Sequence, residues 1–237
     1  MRINQEYPVW QKKQKRLPTI KKISDGSDVV YLTQYEITDS PMPSRRYRRL
    51  PEPVKDAIEQ LYEKAQKKPR EAIPEIMELL QKYPDLPTLY NYLSVASARS
   101  GQKEAAEKVI EDNFRRNPDY LFARLNYAEI LLAQGELEKV AEVFDHKFDL
   151  QILYPKRKRF HISEATGFMG IVGWYFVKIG EQEIAERYYM ILRQIAPDDP
   201  MTRRLRRKLF GGWLEHLLAP KSDKKEGEAE ARSLKGE

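Results

Sequence analysis

Residues 90–118 read YNYLSVASARSGQKEAAEKVIEDNFRRNP, and this stretch decides the fold. An apolar helical run stops at Gly101, a second run (QKEAAEKVI) begins at once, and Pro118 closes it. Glycine supplies the left-handed backbone that ends a helix, and proline cannot continue one. The layout is therefore a helical hairpin. It returns 34 residues later, where Gly135 again separates an apolar run from ELEKVAEVF. Pro84 and Pro118 keep the same step of 34. Gly180 follows Gly135 by 45 residues and Pro197 follows Pro118 by 79, so both landmarks report a single insertion of 11. A fixed period of this length marks stacked supersecondary units, each leaving an apolar face that only its neighbour can bury.

These residues resemble the tetratricopeptide repeat family, whose unit is two antiparallel helices with small residues at their crossing. Val172, Gly173, Phe176, Gly180, Ala185, Tyr189 and Pro197 fall on the signature positions of one unit, and Tyr90, Leu93, Ser94, Gly101, Ala106, Ile110 and Pro118 on those of another. A third keeps Tyr127, Ala128, Leu131, Gly135 and Phe144, with Val140 where alanine is usual. The first is degenerate: Ala72, Ile76 and Pro84 fit, while Glu59, Gln60 and Glu63 stand in place of apolar and small residues. The resemblance implies an all-α, right-handed α-solenoid of about four hairpins, at 53–86, 87–120, 121–165 with the insertion, and 166–198. Residues 199–218 read as a C-terminal capping helix, with Leu205, Leu209, Trp213 and Leu217 at four-residue steps and Gly211 and Gly212 as potential breaks.

Outside the repeats the pattern changes. Residues 1–50 form a basic arm without helical period, in which VVYLTQYEIT (29–38) reads as an extended segment lacking a strand partner. SPMPSRRYRRLPEP (40–53) reads as a stiff linker whose prolines disfavour helix. Residues 219–237 are poor in apolar side chains and read as disordered.

Composition narrows the function classes. The 237 residues contain no cysteine, which excludes disulfides, thiolate metal sites and a cysteine nucleophile. No apolar stretch is long enough to span a bilayer and the N-terminus does not read as a secretory signal, so a soluble, cytoplasmic protein is expected. The net charge of +6 is unevenly spread. Residues 1–50 hold eleven Lys and Arg against five Asp and Glu, whereas residues 51–144 hold thirteen against seventeen. Basicity is thus carried by the flanks and by the insertion.

Reactive constellations are missing. His146, His161 and His216 have no metal-ligand spacing, and Glu104, Glu107 and Glu111 follow helical steps as a solvated helix face does. GFMGIVG (167–173) lacks the G-K-[ST] of a phosphate loop and reads as a close-packing surface. No catalysis, cofactor or metal is expected. The expected activity is that of a scaffold or adaptor binding a protein or peptide.

The family resemblance further implies a concave groove lined by the first helix of each hairpin. Its positions here are Asn91, Val95 and Arg99; Phe122, Leu125, Glu129 and Leu132; and Trp174, Val177 and Lys178. That lining is mostly apolar, which suits an amphipathic helix or extended segment with aliphatic anchors. Val95, Phe122 and Gly167 replace the polar groups with which some family members hold a chaperone's terminal carboxylate, so that partner is rejected. On a competing account, the chain's own N-terminal segment fills the groove. The alternative function is nucleic-acid binding: Lys156, Arg157, Lys158 and Arg159 lie between Tyr154 and Phe160, a pattern that neutralises phosphates and stacks bases.

Overall fold

The computed structural model describes residues 35–218, with side chains to residue 211. It is an all-α helical-repeat solenoid in which consecutive helices pack on their neighbours. After β1 (Glu36–Thr38) and α1 (Arg45–Arg48), the first hairpin is α2 (Glu52–Lys67) with α3 (Pro69–Lys82), and the second is α4 (Pro87–Arg99) with α5 (Lys103–Arg116). The third is α6 (Leu121–Gln134) with α7 (Leu137–Val143). The insertion forms α8 (Leu150–Leu153) and β2 (Arg159–His161), and the fourth hairpin is α9 (Ile162–Lys178) with α10 (Gln182–Ile195). α11 (Pro200–Leu218) closes the stack and runs through Gly211 and Gly212 without a break. None of these helices is long and apolar enough to cross a membrane.

The landmark glycines do what their spacing predicts. Gly101, Gly135 and Gly180 adopt φ of +85°, +82° and +85°, a region that side chains resist. Directly after each, an N–H reaches the carbonyl five residues back: Gln102 to Ser97, Glu136 to Leu131 and Glu181 to Phe176, all at 2.9 Å. One C-terminal cap is therefore used three times. The degenerate first hairpin still forms, because Ile58, Leu61, Ala65, Ala72 and Ile76 make a core with Leu89 and Ala96 of α4. GFMGIVG packs closely, as expected: a Cβ on Gly173 would come within 2.5 Å of Leu205 Cδ2, and one on Gly170 within 2.6 Å of Met201 Cε.

The insertion arises from a shortened helix. α7 stops at Val143 because Asp145 and His146 take positive φ of 51° and 55°. β2 then pairs in parallel with β1, Ile37 opposite Phe160. The extended segment thus has a strand partner far along the chain, with Glu36 opposite Arg159, Ile37 opposite Phe160 and Thr38 opposite His161; residues 29–34 of that segment lie outside the described residues. Tyr35 enters the main core edge-on to Phe160, with ring centroids 5.1 Å apart. The linker also departs from its reading. Ser44 Oγ accepts the Tyr47 N–H and starts the short helix α1, whose Arg46 donates to the Asp85 carbonyl at 2.8 Å. An N-cap acceptor outweighs the upstream prolines there.

His161 joins the strand pair to α9. Its Nδ1 accepts the Ser163 N–H at 3.2 Å, which leaves Nε2 to donate to the Asp39 carbonyl at 3.3 Å, and Glu164 returns to the His161 N–H at 2.9 Å. Burial holds the imidazole below the usual histidine range, against the opposing pull of the Asp39 carbonyl and the Glu164 and Asp39 charges. The unfolded chain then binds the proton first as pH falls, so stability is lost below the ordinary value of 6.5. The thermal midpoint should therefore fall between neutral and mildly acidic buffer by more in the natural chain than in His161→Asn, which keeps an N-cap acceptor. Equal falls in both proteins would show that His161 is not responsible.

Candidate partner-binding face

The 34-residue period fixes which side chains share the inner face. Stepping along the first helices gives Asn91, Leu125, Gly170 and Arg204 at one level, and Val95, Glu129, Trp174 and Lys208 at the next. The last member of each series lies on α11. This helix is therefore a fifth first helix in register, and the sequence reading missed its inner-face residues by treating it only as a cap. One more step of the period finds them.

Most positions expected to line an open apolar groove are buried in the chain's own core. Leu125 and Leu132 are wholly buried, with Phe122 and Trp174 in the same cluster. Val95 packs with Ile110 and Ile130. These residues are interior packing, and the open apolar lining is corrected accordingly. The physical reason is that α9 is packed between α6 and α11. Arg204 Nη1 of α11 meets Glu129 Oε1 of α6 at 2.7 Å, crossing over α9, with its guanidinium carbon 4.6 Å from the Trp174 ring centroid. The arm does not supply this closure within the described residues: β1 lies against β2 and α9.

Asn91 also leaves the groove. Its Oδ1 accepts Asn113 Nδ2 at 3.0 Å and Asn126 Nδ2 at 3.3 Å, while Asn117 Nδ2 reaches Asn113 Oδ1 at 3.1 Å and Arg46 reaches Asn117 Oδ1 at 3.3 Å. This buried chain of amides joins the second and third hairpins, where an unpaired polar group would be costly. Arg99 is exposed and donates to the Gln66 carbonyl at the end of α2.

What the inner face exposes is cationic. Lys178 and Lys208 are exposed, Val177 is half-buried, and neither lysine has a carboxylate partner among the described residues. Lys208 Nζ lies 4.6 Å from the Trp174 ring centroid. Its ammonium is held below the ordinary lysine range, chiefly by desolvation, then by the charges of Arg204, Lys178 and Arg207. Three cations thus act on Lys208, and of the four, Arg204 is the one paired with a carboxylate among the described residues. The Trp174 Nε1–H is buried without an acceptor among the described residues.

The basic insertion is partly committed. Arg157 forms a two-pronged pair with Glu164, at 3.0 and 2.7 Å, and lies 4.2 Å from the Phe160 ring centroid. Arg159 pairs with Glu36 at 2.8 Å, bracing the strands. Lys156 and Lys158 remain exposed. Phe160 is fully buried and so offers no face to a base. Among the histidines, His146 is exposed in the turn after α7 and His161 caps α9, while the His216 side chain lies outside the described residues. Among the described residues, no three His, Asp or Glu side chains gather as a metal site. Glu107 and Glu111 pair along α5 with Lys103 and Arg115, as a solvated face does.

Fold and face together define a class, the all-α helical-repeat solenoid with a cationic inner end. The chain's sequence matches no protein-family model and no curated protein.

Proposed function

We propose that the chain is an interaction scaffold of the tetratricopeptide type, which holds a protein or peptide partner on its inner face and performs no chemistry on it. The observation that carries this reading is the pair of exposed lysines, Lys178 and Lys208, on two successive first helices, close enough for one charge to act on the other and without a carboxylate partner among the described residues. Rigid stacked helices suit this task, because a preorganised surface spends little binding energy on ordering itself. A cytoplasmic location goes with the reading.

The test compares faces. Partners recovered with the natural chain from its source cells should be lost with Lys178→Glu/Lys208→Glu and kept with Met77→Glu, an exposed position on α3. Retention by the first variant together with loss by the second would move the binding surface off the inner face. Recovery of nucleic acid in place of protein, with affinity falling steeply as salt rises, would replace the scaffold reading by nucleic-acid binding.

A further inference from the structure

Resting on the scaffold reading, we infer that the inner face where α9 meets α11 is a seat for a short acidic stretch of the partner chain, received by Lys178, Arg204, Arg207 and Lys208, with Arg204 and Lys208 held against Trp174.

Charge complementarity carries the assignment. Arg204, Lys178 and Arg207 all repel the charge on Lys208, and among the described residues the carboxylate paired in this group is Glu129, bound to Arg204 beside Trp174. An anion placed between Lys178 and Lys208 relieves this repulsion and gains charge-assisted hydrogen bonds. The seat is also pre-built. Trp174 is 6% exposed, and the Arg204 guanidinium carbon and the Lys208 Nζ both stand 4.6 Å from its ring centroid, so the cations rest on a fixed support. Because physiological salt screens exposed charges beyond about 8 Å, the attraction is short-ranged and selects a local cluster of carboxylates.

The same geometry argues against a nucleic acid here. Single-strand binding uses aromatic faces on which bases stack. Trp174 is buried beside its cations, and Tyr189 and Phe210 pack edge-to-face on each other at 5.6 Å. The second basic cluster, in the insertion, has two of its four cations tied to Glu164 and Glu36. What remains is a compact patch, fitted to side-chain carboxylates.

Fluorescence anisotropy on the full chain tests this with three labelled probes: a glutamate-rich peptide, the same peptide with glutamine throughout, and a single-stranded RNA of mixed sequence. The glutamate peptide should bind and the glutamine peptide should not. Lys178→Glu/Lys208→Glu should weaken binding by about tenfold or more, since losing even one of the two charge-assisted contacts has about that effect. Both lysines are exposed, so helix content by circular dichroism should be unchanged. Should it fall, Lys208→Gln alone replaces the double variant and must still weaken the glutamate peptide. Equal affinity of natural and variant chains for that peptide overturns the assignment, as does tighter binding of the RNA. The two proposals fail separately: natural partners lost with Lys178→Glu/Lys208→Glu while the glutamate peptide binds natural and variant chains equally overturn the acidic seat and leave the scaffold, whereas natural partners kept by that variant overturn the scaffold reading of this face.

Discussion

Leu132→Asp should abolish the cooperative unfolding transition, and Leu132→Ala should lower stability by about 3 kcal/mol. Leu132 is wholly buried on α6, in the cluster that includes Leu125, Phe168 and Trp174. Truncation removes apolar contacts and leaves a cavity between helices that cannot fully close. A carboxylate at that point has no cation assigned to it and must be desolvated or protonated, at a cost approaching the roughly 5–15 kcal/mol stability of a whole domain. Urea titration followed by circular dichroism measures both effects. Were Leu132 a solvent-facing anchor for a partner, as the sequence suggests, the aspartate would leave the transition in place and affect binding alone. A native midpoint for Leu132→Asp would therefore restore the open apolar trough and remove the packing described above.

The difference between these two outcomes marks where the sequence stops being informative. Hairpin order was readable because Gly101, Gly135 and Gly180 each solve a local backbone problem, and their spacing repeats with the unit. Gly170 and Gly173 were readable as packing glycines for a similar reason, since small residues at helical steps allow helices to approach. Exposure of Leu125 and Leu132 was not readable. An apolar residue on a first helix looks the same whether a partner or the chain's own next helices cover it, and curvature decides between them. The pairing of β1 with β2 was equally hidden, because Glu36 and Arg159 lie far apart in sequence and three-residue strands carry no periodic signal. Lys208 and Arg204 are a different case. They stand one period beyond Trp174 and Gly170, and the signal was present in a helix read only for its apolar stripe.

Arg204→Ala should destabilise the chain by about 3 kcal/mol, more than an exposed ion pair could account for. Its partner Glu129 is 3% exposed on α6, so removing the guanidinium leaves a buried carboxylate deprived of its cation. The loss should be largely repaired by Glu129→Gln in the same chain, since a neutral amide does not require that cation. Arg204→Lys should fall between the two, keeping the charge but losing the planar group that lies over Trp174. A double-mutant cycle in urea separates these terms, and a coupling close to zero would mean that α11 is not locked across α9 to α6. That result would reach function as well. Lys208 sits one helical turn beyond Arg204 and owes its fixed place beside Trp174 to the same docking, so a loosely held α11 would spread the cations that the acidic seat requires. Stability of the chain and affinity for the glutamate peptide should accordingly fall together in Arg204→Ala, the second through the lost guanidinium and through the displaced Lys208.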